Sequence, residues 1–432
     1  MIDRWFPEIR DRRVFSWALY DWANSAFATT IMAAVLPNYY SSVICRDLPP
    51  ATASSLWAYT NTITMLIIAV MAPVLGAMAD FYGAKKKFLT FFLLLGAAFT
   101  ASLYFVGPGD WVWASLLYIV AGVGFSGANI FYDSLLPHVA PAHRIDQVSV
   151  FGYALGYLGG GLLLAVNLAM IQFPAVFGLT SPIQGVQWSF VSVAIWWVLF
   201  SYPLLKNVPE PYSPPRALAA VNPIRIGIQR TLKTLREIRK YRELFTFLIA
   251  FWLYNDGIGT IIKMAVIFGT EIGIGQGHLI GAILLVQFIG IPLSLLFGRL
   301  AHWLDTRTAI LIGLAGYTLI SIGGYFLYHA WQFWLLAIFV GFVQGGTQGL
   351  SRSLFGSMVP RRMSAEFFGF YDISQKFAGI LGPFVFGVIA YLTGSSRWGV
   401  VALVFFFLSG AWLLTRVDVE AGQRLAAQEE NL

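Results

Sequence analysis

Charge is what this sequence has least of. Asp, Glu, Lys and Arg make up 11% of its 432 residues, against roughly a quarter in soluble domains. That shortage excludes a water-soluble globule of ordinary make-up. Cysteine is almost absent: Cys45 stands alone, which excludes an internal disulfide and a Cys-based metal cluster. The histidines, His138, His143, His278, His302 and His329, fall at or near the ends of apolar stretches without metal-ligand spacing, so no metal site is expected. No Gly-x-x-x-x-Gly-Lys-Ser/Thr string occurs, which removes P-loop ATP binding, and no other cofactor is implied. The net charge of +7 does not point to nucleic acid, because its distribution follows membrane topology.

What is present is apolar. Hydrophobic residues reach 58%, arranged as twelve stretches in two sets of six. Their approximate limits are 14–44, 55–79, 88–107, 111–136, 148–172, 187–205, 244–270, 277–301, 308–328, 331–358, 366–392 and 397–416. Each is long enough to cross the hydrocarbon, which takes about 20 residues. The expected fold is an all-α integral membrane protein with twelve transmembrane helices in two pseudo-symmetric six-helix bundles. The bundles cover residues 1–205 and 244–432, joined by a linker at 206–243. Little chain remains for a soluble catalytic domain.

Basic residues orient the spans. Asp3, Arg4, Glu8, Arg10, Asp11, Arg12 and Arg13 form a charged leader that does not read as a signal peptide. Of the Lys and Arg residues, Lys263, Arg352 and Lys376 lie within spans, and Arg46 and Arg397 in odd-numbered loops. The rest lie at the termini or in even-numbered loops and their edges. The positive-inside rule then places both termini in the cytoplasm. In the linker, Asn222 and Pro223 read as an N-cap and first helical residue. Ile224, Ile228, Leu232, Leu235 and Ile238 recur at helical spacing among Arg225, Arg230, Lys233, Arg236, Arg239 and Lys240. This is an amphipathic helix, expected against the bundle or anionic headgroups.

The halves repeat. Tyr132-Asp133-Ser134-Leu135 ends span 4 with Pro141 beyond it, and Ser351-Arg352-Ser353-Leu354 ends span 10 with Pro360 beyond it. Phe151-Gly152 and Phe368-Gly369 open spans 5 and 11, and Leu19-Tyr20-Asp21 matches Leu253-Tyr254-Asn255-Asp256. Duplicated six-span halves point to a transporter with its site between them. After span 2, Gly76, Asp80, Gly83, Lys85, Lys86 and Lys87 resemble the signature loop of the major facilitator superfamily. In the second half Gly298 is kept, but His302 and Asp305 replace the Asp and second Gly. The runs Leu19 to Phe27, Val150 to Gly161 and Ala365 to Asp372 resemble the vacuolar amino-acid effluxer family of autophagy and its bacterial relatives. The resemblance implies a major facilitator fold and export of amino acids or similar small solutes, and the short loops fit the bacterial relatives better than the vacuolar members, so the expected location is the plasma membrane of a bacterium.

Ionisable residues inside the membrane are costly and mark function. Seven stand out: Asp21, Asp133, Asp256, Lys263, Arg352, Asp372 and Lys376. Asp133 and Arg352 sit near the cytoplasmic ends of spans 4 and 10, with Asp21 about two turns into span 1 and Asp372 read as starting span 11. With Lys376, Asp80, Lys85 and Lys86 they are candidate gating residues, for switching pairs or static ones, and Arg352 with Asp133 would be the matched pair across the repeat. Asp256 and Lys263, two turns apart on one face, are placed either to hold the ammonium and carboxylate of a zwitterion or a proton, or to neutralise each other. Asp372 and Lys376 have the i, i+4 spacing of a local ion pair. Asp21 is also a candidate for the substrate or proton site, which Tyr20, Asn24, Asn129, Tyr254, Asn255, Gln344 and Gln348 complete, with Ser25 and Tyr371 nearby; each of these polar residues also reads as a packing residue. Gly152, Gly156 and Gly160 make a small-residue face on span 5, and Gly379, Gly382 and Gly387 with Pro383 loosen span 11, for sliding or static packing.

The expected function is therefore a secondary active transporter, not an enzyme. It would move a small polar metabolite, amino acids foremost, by alternating access as a monomer, with protons as the coupling ion. This requires the buried ionisable groups to edge a wet pathway between the halves. A lipid or drug exporter of the same fold is the alternative, and a channel is the alternative of another class. Gly124-Phe125-Ser126-Gly127 matches an intramembrane serine protease string, but no histidine lies deep in a later span to act as its base.

Overall fold

The computed structural model describes residues 10–211, 222–237 and 239–430. Asp3, Arg4 and Glu8 of the leader and Ile238 of the linker lie outside the described residues. Eleven helices among the described residues are long and apolar enough to span a membrane. The remaining span is the first, which runs from Arg12 to Ile44 in four pieces: α-helix Arg12–Ala26, π-helix Phe27–Ala34, α-helix Val35–Tyr39 and π-helix Tyr40–Ile44. Two local causes are visible. Thr29 Oγ1 bonds back to the Ser25 carbonyl at 3.0 Å and across to the Gly160 carbonyl at 3.2 Å, competing with the helical ladder. Pro37 has no N–H to contribute.

Spans 2 to 6 are Pro50–Tyr82, Lys85–Ser102, Trp111–Ser134, Ile145–Gln172 and Pro182–Asn207. Spans 7 to 10 are Arg242–Glu271, Gln276–Trp303, Thr306–Tyr325 and Ala330–Met358, and span 12 is Ser396–Thr415. Span 11 is not the single helix expected. It comprises Ser364–Phe377 and Leu381–Thr393 with a break between. Gly379 sits in the break at φ +95°, a backbone that only glycine adopts at low cost. Pro383 falls in the first turn of the second piece, where its missing N–H is harmless. The longer first piece also moves Asp372 away from the end expected for it, about two turns into the helix.

The linker helix forms at Pro223–Arg236, with Asn222 Oδ1 accepting from the Ile224 N–H at 3.0 Å. One helix was not anticipated. Val419–Glu430 follows span 12, with Asp418 Oδ1 accepting from the Ala421 N–H at 2.9 Å. Its low hydropathy hid it among the polar residues at the end of the sequence.

One apolar core gathers residues from Val14 to Val208, and a second gathers Tyr241 to Val417. Each takes in a residue from the other set: Ala365 joins the first core and Val150 the second. Across the two sets, span 5 packs on spans 8 and 10, and the first piece of span 11 packs on spans 2 and 4. The second piece of span 11 leans on spans 7 and 12 of its own set. The side of the bundle carrying the linker, the "linker side", is therefore where the sets are joined most closely.

Candidate functional site

The linker-side junction is built on Arg352 of span 10. Its Nη2 lies 3.0 Å from Asp21 Oδ2 of span 1 and its Nη1 3.0 Å from Asp133 Oδ1 of span 4. Nε donates to Ser149 Oγ at 2.9 Å and Nη2 to the Ser149 carbonyl at 2.8 Å, both on span 5. Tyr132 donates its hydroxyl to Asp21 Oδ2 at 2.8 Å. The guanidinium sits 4.9 Å from the Trp17 ring, 5.5 Å from Tyr132 and 4.5 Å from Tyr153. Arg352 is 2% exposed, and a buried cation persists only when its donors are satisfied and its charge compensated. A planar fork reaching several acceptors at once does this; a lysine ammonium does not. Gly152 makes room for the cluster, since a Cβ there would lie 2.5 Å from Asp21 Oδ2.

A second seal lies beside it. Asp80 of the signature-like loop accepts from the Ala365 N–H at 3.2 Å and the Glu366 N–H at 2.8 Å, capping the first piece of span 11. Negative charge is favoured at such a helix start. Lys85 is 3.0 Å from Asp80 and donates to Ser364 Oγ at 2.7 Å, while His138 Nε2 lies 3.1 Å from Lys85 Nζ. Gly76 brings span 2 onto span 11 so closely that a Cβ would meet the Ala365 carbonyl at 2.1 Å. Lys86 turns elsewhere: its N–H donates to Glu210 at 2.9 Å and its Nζ to the Val208 carbonyl. Burial pushes the Glu210 carboxyl above its ordinary range.

The deeper site is rearranged relative to expectation. Asp256 Oδ1 accepts from the Gly379 N–H at 2.6 Å and the Gly382 N–H at 2.8 Å. It caps the second piece of span 11, whose opening N–H groups the break sets free. Lys263 donates to the Gly379 carbonyl at 3.3 Å. The two residues therefore do not neutralise each other directly; they hold opposite polar groups of one break. Asp256 is fully buried and Lys263 exposed, and Asp256 Oδ2 has no hydrogen-bond partner among the described residues. Lys376 lies 3.9 Å from Asp372 and 5.2 Å from the Phe125 ring of span 4. Asp372 Oδ2 is likewise buried without a partner among the described residues.

The polar candidates divide. Asn24 donates to Asn129 at 2.8 Å, Tyr254 pairs with Ser351 at 2.6 Å, and Tyr20 packs at 4.6 Å against Tyr132. These three contacts lie within one set of spans each. Asn255 is buried and Gln348 half-buried. Gln344 edges a partly open cavity of about 150 Å³ lined by residues of spans 7 to 12. That cavity is apolar and lies within the second set, so it is not the wet pathway expected between the halves. Asp21, Asp133 and Arg352 are instead joined to one another by direct ion pairs across the two sets. Ser126 is buried, and Gly124 beside it packs against Gly96 of span 3, which makes the protease-like string a helix contact.

Sequence reasoning missed several partners. Ser149 directly precedes the repeated Phe151-Gly152 region but looks like any helical serine. Glu366 carried a stronger signal, a carboxylate within the run Ala365 to Asp372. It is fully buried, with Arg230 of the linker helix 3.8 Å away. Asp146, half-buried, joins spans 9 and 10 through Thr306 at 2.7 Å and Ser353.

Comparison with known proteins agrees with this architecture. The family described as "Vacuole effluxer Atg22 like" matches residues 50–427. The chain belongs to that family. It is 38% identical to the uncharacterized MFS-type transporter YxiO of Bacillus subtilis, over 96% of this chain and 97% of the relative. Autophagy-related protein 22 of Yarrowia lipolytica is 24% identical, over 87% of this chain and 77% of the relative. Among solved structures, the proton:xylose symporter XylE superposes with a TM-score of 0.72 at 16% identity, over 94% of this chain and 95% of that one. The fold is that of the major facilitator superfamily, and the chain is a multi-pass membrane transporter of that kind, not an enzyme.

Proposed function

We propose that the chain exports a small zwitterionic metabolite, in the first instance an α-amino acid, by alternating access. Residues 1–205 and 244–432 act as the two rocking bundles and 206–243 as their tether. The linker side is the cytoplasm, from the distribution of Lys and Arg, and the membrane is a bacterial inner membrane. The chain works as a monomer.

The observation that carries this reading is Arg352. It crosses from the second set of spans to two carboxylates and a serine of the first. Such a cluster is bistable in principle: intact, it bars the cytoplasm; parted, it opens it. One cation facing two carboxylates leaves an excess negative charge, which a proton neutralises when the cluster parts. This supports protons as the coupling ion. For substrate, the break in span 11 offers ammonium groups on Lys263 and Lys376 and free carboxylate oxygens on Asp256 and Asp372. A zwitterion needs both kinds of group. The name of the matched family, an effluxer, supports the outward direction.

Counterflow in proteoliposomes tests it. Labelled amino acid should accumulate saturably, respond to a pH gradient, and fail in Lys263→Ala. Flux that never saturates would mean a channel. Absence of flux for every amino acid would move the reading to another solute. The apolar cavity beside Ile261, Met264, Phe268, Val286 and Phe386 favours a second reading, an apolar solute such as a lipid or drug. That reading expects a thermal shift with apolar compounds and none with amino acids.

A further inference from the structure

The linker helix presents three faces, and among the described residues one of them, with Arg230 on its flank, is packed on the rest of the protein. Gly227, Thr231 and Thr234 are buried. Gly227 rests on span 2 so tightly that a Cβ would lie 2.7 Å from the Val74 carbonyl. The face packed on the bundle is thus the small-residue one, not the apolar stripe. Ile224, Ile228, Leu232 and Leu235 stay exposed, at 58%, 43%, 47% and 42%. At about 100° per residue, that stripe is centred roughly a quarter-turn from the docked face. A further quarter-turn round come Arg225, Arg236 and Lys233, all exposed. The order around the helix is thus protein, apolar, basic.

We propose that this helix is an interfacial membrane element: its apolar stripe enters the acyl boundary of the cytoplasmic leaflet, and its basic face binds anionic lipid headgroups. Three features commit the stripe to lipid. The docked face sets the helix flank-on to span 2, a helix long and apolar enough to cross a membrane, at Val74, one turn from Val70 and two from Leu66, apolar residues that are themselves exposed. Large exposed apolar groups on a helix with a charged third face are the pattern of helices lying in the interface plane. The adjoining cations complement anionic headgroups, which attract juxtamembrane Lys and Arg. The helix is also wired to the cytoplasmic seal. Arg230, on its flank, lies 3.8 Å from Glu366, the residue whose N–H is capped by Asp80. Lipid attachment therefore holds the tether in the position where it braces the closed cytoplasmic side.

The experiment uses the full chain with single added cysteines, the native Cys45 being buried. Ile228→Cys, Leu232→Cys and Gln229→Cys are labelled with a fluorophore and reconstituted in vesicles of phosphatidylglycerol with phosphatidylethanolamine, or of phosphatidylcholine alone. Brominated lipid should quench labels at 228 and 232 several-fold more than at 229, and aqueous iodide should do the reverse. Phosphatidylcholine should lower the lipid quenching several-fold, and Arg225→Glu with Arg236→Glu should erase the difference between the two lipids. Equal iodide quenching at all sites would overturn the proposal by placing the stripe in water. Labels shielded from both quenchers would overturn it by showing a protein cover, such as a second copy. Lipid quenching indifferent to headgroup charge would overturn the anionic recognition.

Discussion

Arg352 is the residue on which most depends, because it serves acceptors on three spans of the other set. Arg352→Gln leaves Asp21 and Asp133 buried without compensation, a situation that costs about 3–5 kcal/mol when one partner of a buried pair is removed. Thermal unfolding in detergent should show a clear fall in Tm, and Arg352→Lys should recover little, since one ammonium cannot reproduce the fork. Adding Asp133→Asn to Arg352→Gln should return part of the loss by removing an unpaired charge. Asp256 makes a contrasting case. Its capping role needs one acceptor oxygen, which asparagine keeps. Asp256→Asn should therefore retain most stability, while Asp256→Ala should lose about 1.5–3 kcal/mol, the worth of hydrogen bonds to a charged group. Equal losses in both variants would show that the charge, not the cap, is what the fold uses.

At the scale of elements, glycines set how closely the helices approach. Gly76→Val places side-chain atoms against the backbone of Ala365, which cannot yield as a flexible side chain does. The linker-side contact should loosen, and a cysteine introduced at Ser364 should become reactive to a soluble maleimide; unchanged protection would show that the closure there does not depend on that contact. Gly379→Ala should destabilise the break in span 11, because a Cβ is strained at φ +95° and meets Lys263 Nζ at 2.5 Å. These elements show what could be read from sequence. Hydropathy located the spans, the capping pair Asn222-Pro223 located the linker helix, and the repeat put Asp133 and Arg352 in equivalent places. The break in span 11 was harder to read. Gly379, Gly382 and Pro383 marked a weak point, but its capping by Asp256 joins residues more than a hundred positions apart. The apolar stripe of the linker helix was legible as a stripe; which face docks depended on Gly227 meeting span 2, a tertiary fact. The helix after span 12 was missed because a short polar helix held by Glu429 against Lys240 and Arg362 leaves no hydropathy signal.

For the whole molecule, the structure shows closure on one side: the first piece of span 11 grips span 2, Arg352 bridges the sets, and the second piece of span 11 keeps to its own set. A carrier needs the reverse arrangement as well, and the two must exclude each other. Electron–electron distances between spin labels measure this directly, in a Cys45→Ser background, with one pair at His143 and Arg361 on the linker side and another at Thr180 and His329 on the opposite side. The account expects a single short linker-side distance in the native chain. In Arg352→Gln a second, longer linker-side population should appear, matched by a shorter population of the opposite pair. A linker-side distance that stays single in the variant, or lengthens with no change on the opposite side, would contradict a carrier that rocks about a central site.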